Sequence, residues 1–164
     1  MREKKIFIIR HAKAEQHSFF KDDFKRELIQ KGIDRAKRIA FTCTQVINIS
    51  AETIVLSSTA NRALQTATLF CETLGFPTDS ILKTRALYEA NYQDILKEIN
   101  KVATTIDTVL LFGHNPGLSD LTNYLCNTDI DLNTSAVAML VIEEGLNFSE
   151  VSGNTATLQQ IIRE

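Results

Sequence analysis

The sequence predicts an α/β fold, a three-layer α/β/α sandwich around a mostly parallel sheet, with an antiparallel element near the C-terminus. Three observations carry this. Short apolar runs rich in β-branched residues recur along the chain, helical periodicities separate most of them, and two strand-like runs follow one another closely at the end. Continuous apolar runs are what strands buried on both faces require, and their alternation with helices implies parallel pairing.

Ile6-Phe7-Ile8-Ile9 predicts the first strand, ending at Arg10-His11. After a polar loop, Ile33, Ala36, Ile39, Ala40 and Cys43 fall on one face of a helix from Leu28 to Val46. Thr53-Ile54-Val55-Leu56 predicts the second strand, and the stripe Ala63, Leu64, Ala67, Phe70, Cys71 and Leu74 a helix from Ala60 to Leu74. Gly75 closes that helix and Pro77 stops it resuming. Ser80-Ile81-Leu82 predicts a short strand, Tyr92 to Val102 a helix, and Thr108 to Phe112 the most apolar strand. Beyond Gly113-His114, Asn115 is placed as an N-cap and Pro116 as the first residue of a helix running to about Cys126. Ala136 to Ile142 and Asn147 to Val151 predict two final strands, joined through a hairpin turn at Glu143-Glu144-Gly145.

Composition bounds the function. A chain of 164 residues, 44% hydrophobic and 23% charged, predicts a single domain spanning residues 1–164, able to bury roughly 70% of its unfolded surface. Lys and Arg number 18 against 20 Asp and Glu, a formal charge of −2 that offers no broad basic surface to nucleic acid. Cys43, Cys71 and Cys126 are widely spaced and odd in number, which suits buried free thiols in a reducing compartment. The apolar run behind the charged N-terminus is too short for a signal peptide or a membrane span, so a cytoplasmic protein without a membrane partner is expected.

In open α/β sheets ligands bind beyond the carboxyl ends of the strands. Three predicted strand ends carry basic residues: Arg10-His11, then Ser57-Ser58-Thr59 leading to Arg62, then Gly113-His114. The fold therefore sends two arginines and two histidines to one rim. Phosphate suits such a pocket, because guanidinium forks match its oxygens and keep their charge. The helices after Thr59 and Asn115 add amide donors and positive dipole ends. A neutral imidazole facing that phosphate is a nucleophile.

These segments also carry a family resemblance. Ile8-Ile9-Arg10-His11-Ala12-Lys13-Ala14-Glu15, Ser57-Ser58-Thr59-Ala60-Asn61-Arg62-Ala63-Leu64-Gln65-Thr66-Ala67 and Gly113-His114-Asn115-Pro116 resemble the three signatures of the histidine phosphatase (phosphoglycerate-mutase-like) superfamily, in that family's order. The short chain and Ala12, where glycine is usual, resemble the SixA-type phosphohistidine phosphatases. Arg26-Glu27-Leu28-Ile29 is similar to that branch's Arg-Pro-Leu-Thr segment but departs from it at Glu27 and Ile29, and Thr134-Ser135-Ala136 resembles its pattern before the late strand.

The resemblance implies a cofactor-independent, metal-free phosphatase in which His11 attacks phosphorus while Arg10, Arg62 and His114 hold the phosphoryl oxygens. Arg26, Asn115, Ser57 and Glu89 are the expected substrate contacts. Two readings stand for Glu89: a general acid, or an exposed residue at a helix entry. An acid-poor site favours an N–P bond, since imidazole leaves more readily than an alkoxide. The expected partner is a phosphorylated protein, such as a histidine phosphotransfer domain. The alternatives are a small phosphate ester with Glu89 as acid, or a non-catalytic phosphate-binding module. His17, beside Phe19 and Phe20, reads as a loop residue.

Overall fold

The computed structural model describes residues 2–164. Six strands form one sheet: β1 (Lys5–Arg10), β2 (Thr53–Ser58), β3 (Leu82–Thr84), β4 (Thr108–Gly113), β5 (Val137–Ile142) and β6 (Ala156–Ile162), in the order β3-β2-β4-β1-β5-β6. The β3, β2, β4 and β1 neighbours pair in parallel, β5 runs antiparallel to β1, and β6 antiparallel to β5. Four helices cover the sheet: α1 (Gln30–Cys43), α2 (Asn61–Leu74), α3 (Tyr92–Asn100) and α4 (Gly117–Cys126).

The unbroken apolar runs follow from this layering. In β1, Phe7 and Ile9 meet Ala36, Ile39, Ala67 and Phe70 of α1 and α2 on one face. Ile6 and Ile8 meet Ile95, Ile99, Leu118 and Leu121 of α3 and α4 on the other. Both sides of a central strand are thus dry, so every position must be apolar. No helix among the described residues is long and apolar enough to cross a membrane. Cys43, Cys71 and Cys126 are free, the first two buried between α1 and α2, where burial pushes each thiol up to about 12.

The last strand corrects the sequence-based expectation. Asn147–Val151 is not a strand: Phe148–Glu150 forms one 3₁₀ turn, closed by a capping box between Asn147 and Glu150. The partner of β5 is Ala156–Ile162, so the connection is longer than the expected hairpin turn. The short strand lies at Leu82–Thr84, after a 3₁₀ turn at Thr78–Ser80. The first helix is shorter than expected at both ends, beginning at Gln30 and ending at Cys43. Gly75 does adopt the left-handed conformation that ends α2, with φ 85°.

Parallel pairing brings the ends of β1, β2 and β4 to one edge, with Arg10 opposite Gly113 and Ser57 opposite Phe112. The antiparallel β5 adds its entry there, as Arg10 donates its amide to Ala136 O and receives that of Ser135. Two glycines hold the surrounding loops close. A Cβ on Gly32, in the first turn of α1, would collide with the Lys13 carbonyl, and one on Gly117, opening α4, with the Ala90 carbonyl. Only glycine lets these helix starts touch the segments that follow β1 and precede α3.

Candidate active site

His11 sits one residue beyond β1 and is only 8% exposed. Its amide donates to Gly113 O at 3.0 Å, and its carbonyl accepts from Ser135 at 3.2 Å, so both neighbouring strands fix its backbone. The next residue, Ala12, donates its amide to Thr66 Oγ1 at 2.9 Å, which ties the turn to α2. Nδ1 of His11 lies 2.7 Å from the Ala12 carbonyl. A carbonyl can only accept, so Nδ1 carries the proton and Nε2 the lone pair.

The residues from the other strand ends do converge. The rings of His11 and His114 stand 5.3 Å apart between centroids. Nε2 of His114 lies 2.9 Å from Ser58 Oγ, and Tyr88 packs edge-on against the His114 ring at 5.6 Å. Arg10 anchors Nη1 on Leu132 O at 2.9 Å. Arg62, from the first turn of α2, spends Nη1 and Nη2 on the carbonyl and carboxylate of Asp23, at 2.7 and 3.0 Å.

Burial and charge set the protonation states. Burial, with added pressure from Arg62, Arg10 and Arg26, pushes His11 down to about 4 against the pull of the Ala12 carbonyl. Burial, then His11 and Arg62, push His114 down to about 3. Both imidazoles are therefore neutral near pH 7. Around His11, whose titration both arginines affect, the buried Nε groups of Arg10 and Arg62 have no protein acceptor, and His114 Nδ1 has no partner. Buried polar groups are almost always paired, so unpaired donors gathered among cations mark a place for an anion.

Asp23, a residue to which sequence reasoning assigned nothing, organises the rim. Its carboxylate bonds Arg62, takes Arg26 Nε at 2.9 Å and accepts the Tyr88 hydroxyl at 2.6 Å. Burial works to raise its pKa, but Tyr88, Arg62 and Arg26 outweigh it and hold the group at about 2. Burial, then Asp23 and Glu89, raise Tyr88 in turn.

The remaining expected contacts are placed differently. Arg26 reaches the rim but is engaged by Asp23 and by Glu15 O. Ser57 is fully buried and donates its hydroxyl to the Ser58 carbonyl; its neighbour Ser58 is the serine that touches His114. Asn115 is engaged by protein groups, donating to Leu132 O, the carbonyl that also anchors Arg10, at 2.9 Å and accepting from the amide and hydroxyl of Ser119. That bond serves the start of α4, although the helix itself opens at Gly117. Glu89 is exposed beside Tyr88, with φ 54° in the left-handed region.

A cluster of two neutral histidines and two arginines at the carboxyl edge of a mostly parallel sheet is an arrangement suited to an anion such as phosphate, on an α/β fold. The family model of the histidine phosphatase superfamily (branch 1) matches residues 6–108, and the chain belongs to that superfamily. A comparison with curated proteins returned no match. Among solved structures, the protein histidine phosphatase SixA complexed with tungstate aligns with a TM-score of 0.79 and 24% identity, over 97% of this chain and 96% of that one. Two proteins provisionally assigned as phosphohistidine phosphatase SixA also align with a TM-score of 0.79. One, from Agrobacterium tumefaciens, is 23% identical over 98% of this chain and 99% of its own. The other, from Nakamurella multipartitia, is 22% identical over 98% and 96%. The fold is shared across all three.

Proposed function

We propose that this chain is a phosphatase that forms a phosphohistidine on His11 and acts on phosphohistidine in a protein. The observation that carries the reading is that the buried Arg10 Nε, Arg62 Nε and His114 Nδ1, around a neutral His11, have no protein partner. Oxygens of a phosphoryl group are the acceptors this set fits, and donors fixed in advance stabilise the charge that spreads over those oxygens during transfer.

In the first step the Nε2 lone pair of His11 forms a bond to phosphorus as the P–N bond of the substrate breaks. The leaving imidazole takes a proton from solvent. In the second step water attacks phosphorus, the bond to His11 breaks with its electron pair returning to Nε2, and inorganic phosphate leaves. Among the described residues no buried carboxylic acid stands ready to protonate a leaving group. Asp23, held at about 2, is an ionised carboxylate at neutral pH. An imidazole leaving group tolerates that lack better than an alkoxide does. The likeness to a SixA protein that binds tungstate, an oxyanion shaped like phosphate, supports the same substrate class.

One observation favours the small-ester alternative. Glu89 lies close enough to Tyr88 to raise its pKa, which puts a carboxyl group near the mouth of the pocket.

The test is to trap the intermediate with a labelled phosphohistidine protein. An acid-labile, base-stable phosphoenzyme that is absent from His11→Ala is expected. Full turnover by His11→Ala would remove the mechanism, and faster release from phosphoserine peptides than from phosphohistidine would remove the substrate assignment.

A further inference from the structure

The loop between β1 and α1 carries the most exposed large apolar groups of the described chain. Phe19 and Phe20 are both fully exposed, side by side at its tip. Each phenylalanine carries roughly 150–250 Å² of surface, so together they present roughly 400 Å², the size at which an apolar patch on a soluble protein is commonly functional.

The tip is held near the pocket. An isolated bridge pairs Ser18 with Lys21 across it, and Ser18 Oγ accepts the Phe20 amide at 2.9 Å. Lys21 bonds Glu15 at 2.7 Å, and Ala14 bridges Leu28 at the base. Three residues beyond Phe20, Asp23 grips Arg62, and Phe24 stacks edge-on against Tyr88 at 5.1 Å. Three residues of chain reach at most about 11 Å, so the backbone of Phe20 lies within that distance of the group that clamps Arg62. Whatever covers these rings adjoins whatever fills the pocket.

We propose that Phe19 and Phe20 are a docking point for the protein substrate, which they grip by apolar side chains flanking its phosphohistidine; this rests on the phosphatase reading above. An anionic bilayer is disfavoured because the cation next to the rings, Lys21, is tied to Glu15 and Glu27, and Asp22 and Asp23 follow it. A protein surface has both the span and the apolar side chains, and paired aromatic anchors commonly dominate such contacts.

The test uses two synthetic peptides, each with a central phosphohistidine, flanked on both sides by leucines in one and by serines in the other. Phosphoramidate, which has the N–P bond and no flank, is the third substrate. Both rings lie outside the core, so Phe19→Ser/Phe20→Ser is expected to fold. Wild type should favour the leucine peptide at least tenfold in kcat/KM. The double variant should handle the two peptides alike, through a raised KM for the leucine peptide. Equal use of both peptides by wild type would overturn the docking point while leaving the phosphatase intact. Hydrolysis of phosphoramidate but of neither peptide would overturn the substrate reading and the docking point together. Cosedimentation of wild type, but not the variant, with phosphatidylserine vesicles would assign the tip to a membrane instead. A wild-type dimer in light scattering that the variant loses would assign it to a second copy of this chain.

Discussion

The Ser58 hydroxyl joins His114 to the start of α2: its oxygen lies 2.9 Å from His114 Nε2 and accepts the Ala60 amide at 3.2 Å. The amide occupies one oxygen lone pair, and the hydroxyl keeps its hydrogen and a second lone pair for Nε2. Donation by Ser58 puts the His114 proton on Nδ1, the atom with no protein partner, and this is the expected tautomer. The direction of this one bond decides whether His114 faces a phosphoryl oxygen with a proton or with a lone pair. Ser58→Ala is expected to lower kcat/KM by about tenfold or more. Nitrogen-15 spectra should show His114 changing from one tautomer to a mixture, and Ser58→Thr should restore both readouts. A single unchanged tautomer in Ser58→Ala would refute the assignment.

Asp23 makes a second, separable prediction. Arg62 is nearly buried, and the Asp23 carboxylate is its one anionic partner. Replacing Asp23 by Asn keeps the shape and removes the charge, which leaves a buried cation short of a counter-charge. A stability loss of about 1–3 kcal/mol is expected, measured by urea unfolding. The disordered guanidinium should also raise KM more than it lowers kcat. An Asp23→Asn protein with native stability and native KM would show that Arg62 is held by other contacts.

Much of the fold was legible because its strands are buried on both faces and its helices on one, so their periods stand out. The convergence of Arg10, His11, Arg62 and His114 followed from parallel topology alone. Asp23 was not legible. It lies in a polar loop without periodicity, and its partners Arg62 and Tyr88 are 39 and 65 residues away. The final strand was misplaced because Phe148 and Val151 look like strand residues, yet they reach the core from a 3₁₀ turn. The edge strand Ala156–Ile162 is diluted by Gln159 and Gln160 beside an irregular register. One signal was available: Asn147 with Glu150 has the spacing of a capping box, as does Asn91 with Asp94 at the start of α3. Ser57 and Ser58 part company because a one-residue difference in a strand selects the opposite face.

Glu89 separates the two substrate readings. A glutamate with φ 54° sits in a region that costs a non-glycine residue on the order of 1 kcal/mol or more. If it supplies the leaving-group proton, Glu89→Gln should slow hydrolysis by roughly 10²–10⁴-fold. The expectation for a phosphohistidine substrate is a loss of no more than about threefold, because imidazole departs with little acid assistance. Steady-state rates on phosphoramidate and on a phosphomonoester, measured side by side, check this. A large loss on both substrates would assign Glu89 the acid role.

The two depressed histidines fix the pH behaviour. The attacking imidazole must be neutral, and His11 stays neutral down to about 4, so the acid limb of kcat/KM should fall near that value and not near the ordinary 6.5. Stability carries the same signature with a definite sign. Between 6.5, where an unfolded histidine titrates, and about 4, where His11 titrates in the fold, the unfolded chain binds protons that the folded one refuses. His11 therefore opposes unfolding fully above about 6.5, and the protein loses that contribution as pH falls toward about 4. At about 1.4 kcal/mol per unit, the loss is on the order of 3 kcal/mol. Asp23 acts in a lower window: its contribution is complete above its ordinary 3.8 and is lost as pH falls through about 2. Urea unfolding of wild type and His11→Gln at several pH values above 4 should give a visibly flatter dependence for the variant. Parallel curves would mean that burial at His11 does not hold the imidazole neutral.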